Sequence, residues 1–258
     1  MENDGFVLVK GGKKGKGKKI FRTTVIDNNE KDTIDINIVI KRIDIAVDEL
    51  RNSTFFTDTC INIKKLACES IWCFGIGHLG ECVTARFQFA FLLLIRDVLK
   101  LSSERVFICD PILYKEEMEI IKTYGFNVAT ENIECMLECS VPTFLFLPHC
   151  PKQLSNNLLY SNWSSTALKN LVICSNSFTN IVERNAAKVL AESASYIVAV
   201  IDNNLVNEFP LSNSFKYNDV FNDLSLHTFL TPDTLSPDFW KSSKPVYDLS
   251  DTEFIRRA

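Results

Sequence analysis

Ile71-Trp72-Cys73-Phe74-Gly75-Ile76-Gly77-His78-Leu79-Gly80 is the stretch from which the rest of the chain can be placed. Apolar residues from Ile71 to Phe74 lead into three glycines spaced Gly-x-Gly-x-x-Gly. An apolar-faced helical pattern follows from Glu81 to about Lys100. Strand, tight turn and helix in that order give each glycine a task. Gly75 allows the sharp turn off the strand, Gly77 lets backbone approach a ligand with no Cβ in the way, and Gly80 lets the helix pack close on the strand. The N–H groups that open the helix then face whatever lies over the turn, and an anion is the usual guest there.

Downstream the alternation continues. Strand two is Arg105 to Cys109, ending in Asp110-Pro111, and a helix over 114–124 is closed by Gly125,. Strand three is Asn127 to Ala129. A short helix around Ile133 to Glu138 leads to strand four, Thr143 to Leu147, stopped by Pro148. A polar helix from Gln153 to Leu159 precedes strand five, Leu171 to Cys174. An amphipathic helix over 178–193 turns Ile181, Val182, Val189, Leu190 and Ala194 inward. Tyr196 to Ile201 reads as a sixth strand and Leu226 to Leu230 as a seventh,. Repeated β-α units with apolar strands predict an α/β fold: a Rossmann-like three-layer sandwich around a mostly parallel sheet covered on both faces.

Upstream, Ile36, Ile40, Ile43, Val47 and Leu50 make one apolar stripe of a helix expected to pack on the main domain,. Residues 1–30 carry Gly11-Gly12-Lys13-Lys14-Gly15-Lys16-Gly17-Lys18-Lys19, which cannot build a core and is predicted to be a disordered basic tail,. The expected organisation is therefore a tail over 1–30, a helical extension over 31–64, the α/β domain over 65–230 and an irregular, proline-containing tail over 231–258.

The net charge of −4 conceals a split, because lysines gather before residue 23 and the body is acidic. A nucleic-acid face on the body is unexpected, and any nucleic-acid contact or nuclear-import signal is assigned to the basic tail. The longest apolar run, Phe87 to Ile95, falls well short of the ~18 residues of a membrane span, so no membrane partner is expected,. The polar, basic N-terminus is unlike a secretory signal. Nine cysteines, several within apolar elements (Cys73, Cys82, Cys109, Cys174), read as reduced thiols of a cytoplasmic or nuclear protein,.

In an open α/β sheet, ligands bind beyond the carboxyl ends of the strands. Past strand one lie Gly75, Gly77, His78 and Gly80; past strand two, Asp110; past strand four, His149 and Cys150 between Pro148 and Pro151; past strand five, Asn176 and Ser177. Asp110 suits ribose hydroxyls, or caps the turn before Pro111. Its distance from Gly80 is longer than the ~20 residues of the dinucleotide fingerprint. His149 suits acid/base work, its unperturbed pKa of about 6.5 lying in the useful range, or a structural role. Cys150 is a candidate nucleophile without a recognisable His/Asp pair. Arg86, early in the long helix, either reaches an anion over the turn or pairs with an acid. Cys135 and Cys139 are expected to share a helix face, but without two further ligands no zinc site is predicted. The expected ligand is small and anionic or nucleotide-like. An enzyme using a cofactor of the NAD or S-adenosylmethionine class, with His149 as acid/base, is the alternative. Cys73, where a methyltransferase would place an acid, argues against S-adenosylmethionine.

Several phrases carry a family resemblance: Cys73-Phe74-Gly75-Ile76-Gly77 with Ala85-Arg86-Phe87-Gln88-Phe89-Ala90; Leu147-Pro148-His149-Cys150-Pro151 with Asn162-Trp163-Ser164; Cys174-Ser175-Asn176-Ser177-Phe178; and Phe221-Asn222-Asp223 with Leu226-His227-Thr228-Phe229. Over roughly residues 65–230 the chain resembles the "sensitivity to red light reduced" family, the SRR-like proteins. The family more often has Gly before the Asn-Ser-Phe. The resemblance implies a regulatory role, linked to light signalling and the circadian clock in plants and to clock-gene expression and haem biosynthesis in animals. It implies no established reaction and carries over no catalytic residue. It does mark Gly75, Gly77, Arg86, Gln88, His149, Cys150, Asn176 and Ser177 as matches to shared motifs. The haem link adds a reading of Cys150-Pro151 as a thiolate offered to haem iron.

Overall fold

The computed structural model describes residues 34–248 apart from 213, 233 and 234. The predicted basic tail lies outside the described residues. Two helices come first, α1 (Ile36–Arg51) and α2 (Thr54–Ile63). The Asp35 carboxylate accepts from the N–H groups of Asn37 and Ile38, and Ser53 Oγ accepts from Phe56 N–H, so both helices open on a side-chain cap,. The stripe that α1 buries is Val39, Ile43, Ala46 and Leu50. Ile36, Ile40 and Val47 flank it, so the helix is rotated by part of a turn from the sequence expectation.

The remaining elements are β1 (Ser70–Phe74), α3 (Val83–Leu99), β2 (Val106–Cys109), α4 (Lys115–Thr123), β3 (Asn127–Ala129), β4 (Thr143–Leu147), α5 (Lys152–Ser161), β5 (Leu171–Asn176), α6 (Phe178–Arg184), α7 (Ala187–Ser193), α8 (Ser195–Asp202), β6 (Val206–Pro210), α9 (Asn218–Phe221) and β7 (Leu224–Phe229). The strands form one mixed sheet of order β3-β2-β1-β4-β5-β7-β6. β1, β2, β3, β4 and β5 pair in parallel, and β7 runs antiparallel to both β5 and β6.

Side chains alternate across each strand. Ile71, Cys73, Ile108, Phe144 and Phe146 face a core built with α1 to α4 and α9, while Phe74, Cys109, Leu145, Leu147 and Ile173 face a second core built with α5 to α8. Phenylalanine dominates the first: Phe55 stacks on Phe221 at 4.3 Å, and Phe91 meets both Phe146 and Phe221,. Because α3 is roofed by α1, α2 and α9, it is buried without a break from Phe87 to Ile95, the run that the sequence shows as continuous hydrophobicity,. It stops at Lys100, whose φ of +56° is the left-handed turn that ends many helices,.

Three local expectations are corrected. Tyr196 to Ile201 is helical, within α8, and the strand beyond it is Val206–Pro210. A short apolar run cannot separate strand from helix by period alone. The helix expected over 178–193 breaks at Asn185 and Ala186, both extended, and Val189 is 40% exposed rather than inward. No helix forms around 133–138, because Glu134 and Cys135 take φ of +49° and +58°, so Cys135 and Cys139 share no helix face,. The described residues after 230 are irregular apart from one 3-10 turn, Pro237–Trp240. They nevertheless pack Phe239 and Trp240 on the second core, and the Tyr247 hydroxyl donates to Asn157 Oδ1 at 2.7 Å. Among the described residues no helix is long and apolar enough to cross a membrane.

Candidate functional site

Beyond the carboxyl ends of β1, β2 and β4 lies a cavity of about 210 Å³. Gly75 and Gly77 contribute from the β1 turn, Asp110, Pro111 and Ile112 from the end of β2, and His149, Cys150 and Pro151 from the end of β4. Asn132, Glu134 and Cys135 close a further side. The cavity thus gathers Gly75, Gly77, Asp110, His149 and Cys150, five of the residues singled out by their place after a strand.

Left-handed backbone is concentrated here. Of the nine described residues with positive φ, six are not glycine. Five of the nine (Gly75, Gly77, Glu134, Cys135 and His149) line this one cavity. Non-glycine residues in the left-handed region cost about 1 kcal/mol or more each, and they cluster where function holds them.

The glycine turn is fixed by the protein's own carboxylates. Asp110 Oδ2 accepts from Gly77 N–H at 2.7 Å, and its Oδ1 accepts from Ile112 N–H at 3.1 Å. Glu117, fully buried on α4, accepts from Gly80 N–H at 3.0 Å, from Tyr114 N–H at 3.1 Å and from His78 Nδ1 at 2.9 Å. His78 also stacks on Tyr114 with ring centroids 4.2 Å apart. Gly75 N–H donates to Cys109 O. The glycine N–H groups that a phosphate would use in a dinucleotide site are therefore already satisfied. A bound anion about 4 Å from the Asp110 carboxylate would meet a repulsion of roughly 4 kcal/mol at an effective dielectric near 20. Both features weigh against an anionic guest on this turn.

Arg86 is likewise occupied. Its Nη1 donates to the Leu79 and Gly80 carbonyls at 3.0 Å each, closing the turn from behind. That explains a cation so near a helix start. Burial, with Arg42 nearby, lowers its pKa. Gln88, 3% exposed, donates to Val220 O and ties α3 to α9.

The three glycines have unequal reasons. A Cβ on Gly75 would collide with Cys150 Sγ, and its φ is +63°. Gly77 needs its φ of +77°, but an added Cβ would only reach ordinary contact with Ala85. Gly80 has neither constraint, its nearest neighbour being Ile34 at 3.6 Å. The close packing assigned to Gly80 from the sequence is therefore found at Gly75 instead.

Cys150 is an interior thiol. Burial, reinforced by Asp110, pushes it up to about 12, and its S–H donates to Phe74 O at 3.3 Å. A nucleophilic thiolate is not favoured there. Burial likewise raises Cys109 and Cys135, which line the same cavity. Among the described residues no group of His, Cys, Asp and Glu could hold a metal ion. His149 is exposed at the rim, with Nε2 3.2 Å from Val220 O. A carbonyl only accepts, so Nε2 carries the proton, and Nδ1 has no partner among the described residues,.

Asn176 and Ser177 fall outside the cavity. Asn176 Nδ2 donates to Cys150 O and steadies the His149-Cys150 loop. Ser177 caps α6 and lines a separate polar cavity of about 290 Å³ with Glu208, Asp223 and Ser225. Sequence reasoning missed Glu117, Glu134, Cys135 and Ile112. Only Glu117 gave a signal, as the acid three residues after a helix start that caps its own helix.

Comparison with known proteins adds the following. Residues 46–228 match the family model of the SRR1 domain. The chain is 37% identical to an SRR1-like protein of Mus musculus over 131 residues, 50% of this chain and 53% of that one. It is 31% identical to an SRR1-like protein of Drosophila melanogaster over 183 residues, 69% and 62% of the two chains. It is 25% identical to the Arabidopsis thaliana protein SENSITIVITY TO RED LIGHT REDUCED 1 over 205 residues, 73% and 74% of the two chains. The matched stretches thus span between half and two thirds of the two animal relatives. No solved structure matches the chain.

Proposed function

This chain belongs to the SRR1-domain family, and from that membership we propose that it is a regulatory protein that works by holding a small ligand in the cavity beyond β1, β2 and β4. The observation that carries the proposal is the gathering of five positive-φ residues around one cavity at the carboxyl edge of the parallel strands,. The run β3-β2-β1-β4-β5, with a core on each face, supports reading the domain as a Rossmann-like three-layer sandwich with a mostly parallel sheet. The plant relative's name places that protein in red-light sensitivity. The family resemblance extends the proposal to clock regulation and haem biosynthesis, in the cytoplasm or nucleus, with nucleic-acid contact confined to the basic tail.

The test is native mass spectrometry of the protein purified from cells, beside a Leu154→Trp variant that fills the cavity. A bound small molecule present in the wild type and absent from the variant supports the reading. A variant that fully rescues cells lacking the protein removes the cavity from the regulatory role.

One observation favours an enzyme using a nucleotide-type cofactor instead: the unpartnered Nδ1 of His149 is a base at the cavity rim,. Retention of NAD or S-adenosylmethionine by the purified protein would favour that reading over a purely regulatory one.

A further inference from the structure

Resting on the reading that this cavity is a ligand site, we propose that it takes a nucleoside: a heterocycle with hydroxyl or amino donors and no phosphate. Among the described residues, no lysine or arginine lines the cavity. Arg86 is spent on the Leu79 and Gly80 carbonyls, and the N–H groups of Gly75, Gly77 and Gly80 are spent on Cys109 O, Asp110 and Glu117. A phosphate would find neither cation nor free glycine N–H in the place where dinucleotide folds supply them.

What the cavity offers is acceptors and neutral walls. An ionised carboxylate has about four lone-pair directions. Asp110 spends two, on Gly77 and Ile112. It stands at the end of β2 beside β1, where an acid accepts from ribose hydroxyls,. His149 Nδ1 is a second acceptor at the rim. Phe74, Leu154, Cys109, Cys135 and Cys150 supply an apolar, polarisable lining,. Ile112 leaves 38% of its surface open at the mouth, apolar area that a flat ring would cover. At about 210 Å³ the cavity is smaller than the roughly 300–1,000 Å³ typical of drug-sized ligands, which suits one nucleoside and leaves out a dinucleotide,.

Isothermal titration of the full chain with adenosine, guanosine, cytidine and uridine, and with their 5′-monophosphates, tests this. One nucleoside is expected to bind at least tenfold more tightly than its monophosphate. Asp110→Asn is expected to weaken that nucleoside at least tenfold. Ile112→Arg, a change at an exposed rim position that spares the core, is expected to restore binding of the monophosphate. A monophosphate that binds wild type as tightly as its nucleoside overturns the inference. So does nucleoside binding unchanged in Asp110→Asn, or no binding of any nucleoside at millimolar concentration. The underlying site reading fails separately: it falls if Leu154→Trp displaces nothing in native mass spectrometry, whereas a displaced molecule of another class removes only the nucleoside.

Discussion

A Cβ atom on Gly75 would stand 2.7 Å from the Sγ of Cys150, closer than real side chains approach. The first glycine of the turn and the cysteine of the Pro148–Pro151 loop therefore occupy one space, shared across the β1–β4 pairing. Cys150 uses the proximity to donate to Phe74 O, the carbonyl just before that glycine. Gly75→Ala should cost about 2–3 kcal/mol, part from the left-handed φ and part from the collision. Cys150→Ala should lower that cost by about 1 kcal/mol, the collision part alone, in a double-mutant cycle of denaturant unfolding. Gly77→Ala should cost about 1 kcal/mol, from φ only, and Gly80→Ala should be near neutral. Equal costs at the three glycines would remove this account of the turn.

Glu117 is the second anchor of the same turn, fully buried and accepting from three donors. Glu117→Ala strands the Gly80 and Tyr114 N–H groups and the His78 ring, and should destabilise by about 3–5 kcal/mol. Glu117→Gln keeps one acceptor oxygen and should cost less. Thermal unfolding of the two variants checks the order, and the reverse order would mean that the carboxylate is not what holds the turn.

The interior thiols predict an alkaline limit. Burial holds Cys68, Cys150 and Cys174 at about 12 in the folded chain, against an ordinary value of 9.0. A pKa raised on folding means that the unfolded chain loses its protons first. The associated stability is complete below pH 9 and is lost as pH climbs towards 12,. Unfolding free energy should therefore fall through that window, and less steeply in Cys174→Ala than in wild type once their difference at pH 7 is subtracted. At pH 7.5, iodoacetamide followed by peptide mass mapping should label Cys82, the exposed cysteine, well before Cys73 or Cys150,.

The parallel strands and the long helix were legible because their signals are local: apolar runs of four residues, a glycine turn, and a nine-residue buried stretch in α3. α8 was misread because Tyr196 to Ile201 is apolar throughout and too short to show a period. The cavity edge was legible as to place, since strand ends can be counted. Its chemistry was not, because it is set by distant partners. Glu117 lies 37 residues from Gly80, Asp110 lies 33 from Gly77, and no pattern in the chain announces either bond. The left-handed pair Glu134-Cys135 is likewise invisible, since neither residue type favours that conformation,.

His149 separates a structural from a functional reading of the cavity. It is exposed, holds φ at +53°, and makes one bond through Nε2 to Val220 O at 3.2 Å. His149→Ala loses that bond, about 1 kcal/mol, and keeps the φ strain. His149→Gly loses the same bond but relieves the strain by about 1 kcal/mol, so it should melt at or above the alanine variant and near wild type. Gln88 still donates to Val220 O in both, so α9 stays tied to α3. The two variants thus differ in backbone comfort and agree in lacking the ring. If the regulatory role uses the Nδ1 acceptor, neither should rescue cells lacking the protein, although both are folded by circular dichroism. Rescue by the glycine variant alone would mean that His149 matters only through stability, and rescue by both would leave the cavity without its rim group in the regulatory role.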